Sequence, residues 1–363
     1  MQYRLLKLLQ TGGNKLPLLF FLKLCHNIHT MKKENPTKKF EKCLDIYDRF
    51  DLFFTERVSL PIAKVFCKLD ASPSFVSILG GLFGVGGAVL LVFNNLICTI
   101  IGILMIIFCS ILDCADGQVA RISHKGSMFG RCFDGTIDSV VYFAIYLCLA
   151  IRIIFFNNIP FTDTPWFSWW GLGLFVFIVI FGVFIHAAES RIADYYRNAY
   201  MYLSASDRGS ELHSSEDMKR IVDEAPKGFQ KFVLKSYISY TKLQEKSTPK
   251  LQELLKLIKD NGGEIPLEVS SFYRERSKKI ARLPNILVFN FRTYVLFGLL
   301  LATEILRFVG VCDFTWELLI FPIVLLVLEP IRLMLIHKFE KIAGESKVLM
   351  EKVLDERKEK KSN

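Results

Sequence analysis

The chain has 363 residues, 52% of them hydrophobic, and carries 46 Lys and Arg against 36 Asp and Glu for a net charge of +10. A mean hydropathy of +0.33 beside so many basic residues sets it apart from soluble domains, which rarely combine the two, and points to a membrane protein. Nine cysteines form no C-x-x-C pair, which argues against a disulfide framework or a zinc site; Cys109, Cys114, Cys132 and Cys148 read as small packing residues.

Residues 16–25 are apolar but interrupted by Lys23 and lack a cleavage pattern, so no secretory signal is read there. Met31, followed by Lys32 and Lys33, offers an alternative start, with the residues before it an extension or a membrane-surface helix. Between Phe40 and Leu69 apolar residues recur at helical spacing among Lys42, Arg57, Lys64 and Lys68, which predicts an amphipathic helix on the headgroup layer, broken at Ser72 and Pro73. Crossing a bilayer takes about 20 apolar residues, and runs of that order occupy 75–93, 96–112, 139–156, 171–188, 286–306 and 314–336. Six transmembrane helices are therefore expected, the short second one continuing into the helix that follows it. The segment 189–284 is charged and helical, with a stretch at 248–259 and an Asn261-Gly262-Gly263 turn, and reads as a solvated helical subdomain. Residues 340–363 read as a charged helix whose Lys-rich end rests on anionic lipid.

The turns 94–95, 157–169 and 308–313 contain neither Lys nor Arg, whereas the other connections and both terminal regions are basic. Lys and Arg mark the cytoplasmic side, so both termini are expected there. The fold class is all-α. Its divisions are an N-terminal interfacial segment (1–70), four transmembrane helices (71–188), a cytoplasmic helical insertion (189–284), two further spans (285–338) and a charged tail (339–363).

The most informative stretch is DCADGQVARISHKGSMFGRCFDGTID, from Asp113 to Asp138. Asp113, Asp116, Gly117, Ala120 and Arg121 share one helical face, and Asp134 and Asp138 share a face of the next helix. Two acidic faces joined by a short Gly-containing connection can converge on one divalent cation or a close pair, and oxygen-only ligands favour Mg²⁺ or Mn²⁺. Four carboxylates beside a single Arg121 at the membrane boundary are costly unless a cation or a water-filled cavity compensates them. Gly117 and Gly130, lacking Cβ, and the small Ala120 allow a flat or bulky ligand close to the backbone, or alternatively serve helix packing.

The string D-x-x-D-G-x-x-A-R-x8-G-x3-D-x3-D resembles the signature of the CDP-alcohol phosphotransferase (CDP-alcohol phosphatidyltransferase) family, and Asp113, Asp116, Gly117, Ala120, Arg121, Gly130, Asp134 and Asp138 fill every fixed position. The resemblance covers about residues 57–188 well and is looser beyond. It implies transfer of a phosphatidyl or other phospho-alcohol group from a CDP-linked donor such as CDP-diacylglycerol to an acceptor hydroxyl, with release of CMP. By that resemblance Asp113, Asp116 and Asp134 are metal ligands, and Asp138 is the general base, with a possible metal contact of its own. Arg121 would hold the donor diphosphate, and Gly117, Ala120 and Gly130 would border its cytidine. Mg²⁺ or Mn²⁺ is the implied cofactor, and membrane lipid and a second copy in a homodimer are the implied partners; no nucleic acid is expected. Family members commonly have Pro-Asn, and a Thr three residues after that Asn, before the first span; this chain has Pro73, Ser74 and Ser77.

For a phosphorylated acceptor such as inositol phosphate or glycerol 3-phosphate, Arg191, Arg197, Arg282 and Arg292 are candidates by position, each alternatively a snorkelling arginine. His186 could orient a hydroxyl or simply pack. Two other classes compete: an intramembrane Mg-dependent prenyltransferase, whose Asp-rich motifs lie on separate helix pairs, and a non-enzymatic cation transporter, which places acids near the midplane of several helices. Here the acids gather at one boundary, and Glu304, Glu317 and Glu329 are the only others within the expected spans.

Overall fold

The computed structural model describes residues 56–156, 169–204, 212–287, 289–311 and 317–362. Among these it has eleven α-helices, one short 3-10 turn at Leu283–Leu287 and no strand. The expected surface helix is described only from Glu56; residues 40–55 lie outside the described set. The helix there, α1 (Glu56–Lys68), lays Ala63 against Leu112, Ala115 and Val119 and leaves Lys64, Val65 and Lys68 exposed. It ends on Asp70, whose φ of 54° is left-handed, and the Asp70 carboxylate accepts from Lys125 Nζ at 2.6 Å. That lysine's charge and hydrogen bond hold Asp70 below the usual carboxylate range.

The bundle is built on α2 (Pro73–Val92), α3 (Leu96–Ile122) and α4 (Met128–Phe156). Each start has a local cause. Ser72 caps α2 by accepting from Phe75 N–H, with Pro73 as the first helical residue; Asn95 caps α3 by accepting from Ile97 and Cys98 N–H; and Ser127 Oγ accepts from Gly130 N–H as α4 begins. The connection Phe93–Asn95 is so short that α2 and α3 must run antiparallel. As expected, α3 runs unbroken through the second apolar run and on into the motif.

Among the described residues, Pro73–Val92, Leu96–Ile122 and Met128–Arg152 are long and apolar enough to cross a membrane. In hydrocarbon no hydrophobic effect drives helices together, so close approach and dispersion must do so. The glycines of α2 supply that approach: a Cβ at Gly87 would lie 2.7 Å from the carbonyl oxygen of Gly102, and one at Gly102 would lie 2.8 Å from that of Gly87.

The other expected spans fall on α5 (Trp169–Ser204), α10 (Phe289–Phe308) and α11 (Glu317–Ser362). Leu296, Phe297 and Leu300 of α10 complete the core with Leu91, Ile106, Ile145 and Leu149. At the end of the bundle where α3 begins, Arg152 is fully buried; it pairs with Glu304 and donates to the carbonyls of Leu91 (3.0 Å) and Phe93 (3.3 Å) and to Thr99 Oγ1 (3.1 Å). Arg307 also reaches Glu304, at 2.9 Å.

The insertion folds as α6 (Ser215–Glu224), α7 (Phe229–Ser247), α8 (Pro249–Asp260) and α9 (Leu267–Ser277). α8 ends where Gly262 and Gly263 take φ values of 76° and 84°. Its N-terminus is capped from afar: Glu340 accepts from Lys250 N–H at 2.7 Å and from Leu251 N–H at 3.3 Å. Burial pushes the Glu340 carboxyl above its ordinary range, against the pull of those two N–H groups. The last expected span and the charged tail form one helix, and the tail packs on the insertion, with Lys347 reaching Glu253 at 3.1 Å and Phe339 stacked on Tyr196 of α5.

Candidate active site

Three of the four motif acids converge. Asp113 and Asp116 project from α3 and Asp134 from α4, and one ligand oxygen from each lies within 4.8 Å of the others. Asp116 is buried, and Asp113 and Asp134 are half-buried. Asp138 sits one turn beyond Asp134 on the same helix, exposed and outside that three-carboxylate set.

The convergence is imposed by α2, which touches both acid-bearing helices at their level. A Cβ at Gly80 would lie 3.3 Å from Leu112 Cβ and 3.9 Å from the backbone nitrogen of Asp113. A Cβ at Gly81 would lie 2.6 Å from Ile137 Cγ2, between Asp134 and Asp138. One turn before Gly80, Ser77 donates to Asp116 Oδ2 at 2.5 Å, with both side chains 5% exposed. Ser77 is the residue standing where the resemblance has threonine, and it fixes one carboxylate rotamer.

On the opposite flank of α3, Gln118 Nε2 donates to Ser59 Oγ at 2.9 Å, and Ser59 donates to Cys114 Sγ at 3.2 Å, tying α1 to the motif helix. Cys109 and Cys132 are buried packing residues near the motif, and Cys148 is buried further along α4. Arg121 is exposed and folds back over Gly117: its terminal nitrogens lie 3.6 and 3.9 Å from where a Gly117 Cβ would stand. A Cβ there would stand in ordinary van der Waals contact with the guanidinium. Ala120 is half-buried on the same helix, and a Cβ at Gly130 would meet Ser127 Oγ at 3.1 Å.

All three converging donors are carboxylate oxygens, on two helices whose spacing glycines fix, and the Ser77 hydrogen bond leaves one Asp116 oxygen free of that donor. This set fits a hard divalent cation such as Mg²⁺ or Mn²⁺ and offers no soft ligand for zinc or copper.

The four arginines named for an acceptor differ in burial. Arg292 is buried and ion-paired with the equally buried Glu189. Arg282 is exposed. Arg191 and Arg197 are half-buried on α5, with Gln244 of the insertion donating to the Arg191 carbonyl at 3.1 Å. His186 is 2% exposed, stacked on Tyr142 at 4.6 Å and sharing a hydrogen bond with Tyr146 OH at 3.1 Å, which makes it a packed core residue.

The insertion also reaches the motif. Met128, Phe129, Cys132 and Phe133 of α4 close a core with Met218, Val222, Val233 and Leu234 of α6 and α7, immediately before Asp134. The family model for CDP-alcohol phosphatidyltransferase matches residues 71–201, which bracket all four acids and the two helices that carry them. Over residues 71–201 the chain is similar to the CDP-alcohol phosphatidyltransferase family. Members of this family are transferases that work in membranes on CDP-alcohol donors and alcohol acceptors, and they are generally dependent on divalent cations. No curated protein and no solved structure matches the chain.

Proposed function

We propose that the protein transfers a phosphatidyl or other phospho-alcohol group from a CDP-linked donor such as CDP-diacylglycerol to an acceptor hydroxyl, releasing CMP. The observation that carries this is the convergence of Asp113, Asp116 and Asp134 inside the region similar to this family. These three carboxylates would hold Mg²⁺ or Mn²⁺. When bound, the cation would neutralise the donor diphosphate and polarise the phosphorus.

Asp138, exposed and one turn further along α4, takes the proton of the acceptor hydroxyl as general base. The hydroxyl oxygen then bonds to phosphorus as the bond to the bridging diphosphate oxygen breaks, and CMP leaves with that oxygen. Arg121, exposed and folded back over Gly117, holds the donor diphosphate through charge-assisted hydrogen bonds. Gly117, Ala120 and Gly130 border the cytidine.

The acceptor is a phospho-alcohol such as inositol phosphate or glycerol 3-phosphate. Arg191, Arg197 and Arg282 are its candidate phosphate partners, the first two half-buried and the third exposed, whereas the pairing of Arg292 with Glu189 suits a structural role. We place six spans in the membrane, with the site and both termini on the cytoplasmic side, and the chain in a homodimer.

The test is CMP release by purified protein with CDP-diacylglycerol and Mg²⁺ or Mn²⁺, across inositol phosphate, glycerol 3-phosphate, inositol, serine and no acceptor. Metal-dependent and acceptor-dependent CMP supports the reading and identifies the acceptor. Folded protein that releases no CMP with any acceptor refutes it for this donor.

A further inference from the structure

Helix α7 has two unlike faces. Its inner face buries Val233, Leu234, Thr241 and Gln244. Its outer face is a stripe at i, i+3, i+7, i+10 and i+14 made of Phe229, Phe232, Ser236, Ser239 and Leu243, with Phe229 62% and Phe232 67% exposed. Lys231, Lys235 and Lys242 flank that stripe along the helix, and Lys227 precedes it; residues 225–244 hold these four lysines and no acid. Among the described residues none of the four is ion-paired. Two large aromatic rings left in water beside a one-signed row of cations are the pattern of a helix lying on an anionic bilayer, rings toward the acyl boundary and ammonium groups at the phosphates.

Position agrees with pattern. Phe229 meets Phe133 edge-on, at 6.0 Å between ring centroids. Phe133 lies inside Met128–Arg152, one of the three stretches able to cross a membrane. The first turn of α7 therefore stands beside the end of that helix rather than beyond it, at headgroup depth.

We propose that the Phe229–Phe232 face of α7 docks on the anionic surface of the membrane that α4 crosses, with Lys227, Lys231 and Lys235 meeting lipid phosphates. This rests on reading α2, α3 and α4 as spans, and it does not depend on which acceptor the enzyme uses. Because α7 shares a core with Cys132 and Phe133, the contact anchors the turn of α4 that leads to Asp134.

The experiment uses the full chain in nanodiscs, sorted into particles holding one chain and particles holding two, in phosphatidylcholine with and without phosphatidylserine. Phe232→Trp is compared with the wild type, whose four tryptophans set the background, and with Lys256→Trp on an exposed position of α8 flanked by acids. Brominated lipid should quench the added emission of Phe232→Trp but not that of Lys256→Trp. Changing Lys227, Lys231 and Lys235 together to Gln should remove most of the phosphatidylserine dependence, since each lysine near such a surface strengthens residence about fivefold.

Should Phe232→Trp fold poorly, hydrogen exchange of residues 229–239 in the wild type serves instead, and slower exchange with phosphatidylserine is expected. Quenching of Phe232→Trp no greater than that of Lys256→Trp overturns the proposal. So does emission unquenched by lipid but shielded only in particles holding two chains, which assigns the face to a second copy. Acceptor-dependent CMP release, measured on the same particles, separates failure of this proposal from failure of the assigned reaction.

Discussion

Ser77→Ala isolates the contribution of α2 to the acidic site. The substitution removes the hydroxyl that donates to Asp116 Oδ2 at 2.5 Å, in a place where both side chains are 5% exposed and water has little access. A hydrogen bond to a charged group is worth about 1.5–3 kcal/mol, which converts to about 10–150-fold in an equilibrium constant. Outer-shell partners of metal ligands independently span about 10–100-fold in metal affinity or activity. The lower end applies here, because the same Ser77 proton is shared with the carbonyl of Pro73 at 3.2 Å.

Mn²⁺ binding to purified protein, followed by paramagnetic resonance of the free ion, should therefore weaken about tenfold. Turnover at saturating Mn²⁺ should change far less. Ser77→Thr, which keeps the hydroxyl, should restore the affinity. Unaltered Mn²⁺ affinity in folded Ser77→Ala protein would refute the claim that this hydrogen bond orients a ligand.

Asp113→Asn and Asp116→Asn should abolish CMP release and weaken Mn²⁺ binding, and near-normal turnover in either would sink the ligand assignment. Asp138→Asn should lower turnover about 10²–10⁴-fold while sparing most Mn²⁺ affinity; equal loss of both would move Asp138 into the ligand set. Gly81→Ala puts a Cβ 2.6 Å from Ile137 Cγ2, so thermal unfolding in detergent should show overpacking of about 1–3 kcal/mol, partly relieved by adding Ile137→Ala. Glu304→Ala leaves the buried Arg152 without its counter-charge; it should cost about 3–5 kcal/mol, and Arg152→Met combined with Glu304→Leu should recover much of that, whereas an unchanged melting temperature in the single variant would contradict the pairing.

The sequence made the acids legible because the fixed spacing of Asp113, Asp116, Asp134 and Asp138 is itself a helical geometry, and α3 runs through the motif as its apolar run implied. It did not disclose what positions them. Gly81 and Ile137 are 56 residues apart, and no local periodicity links a glycine on one helix to the side chain it admits from another. Arg292 looked like an acceptor partner because its distance from a span end is visible in a string, whereas its pairing with Glu189 is not. Glu304 read only as a further acid within a span for the same reason, since Arg152 lies 152 residues earlier. The alternation of charges in 189–284 suggested a solvated subdomain; the hydrophobic contacts of Phe129 and Phe133 with α6 and α7 depend on residues that singly read as ordinary span or insertion residues.

The long sequence separation of Arg152 and Glu304 also has a bearing on biosynthesis. At about 5–20 residues per second, the ribosome needs roughly 8–30 s to make the acid after the base. Throughout that interval the nascent third span presents a guanidinium with only the backbone carbonyls of Leu91 and Phe93 and polar side chains such as Thr99 nearby. We therefore expect the first spans to be held in the insertion machinery, or by a membrane chaperone, until α10 arrives. Chains arrested before Glu304 should stay crosslinkable to that machinery, and Arg152→Leu should release them early.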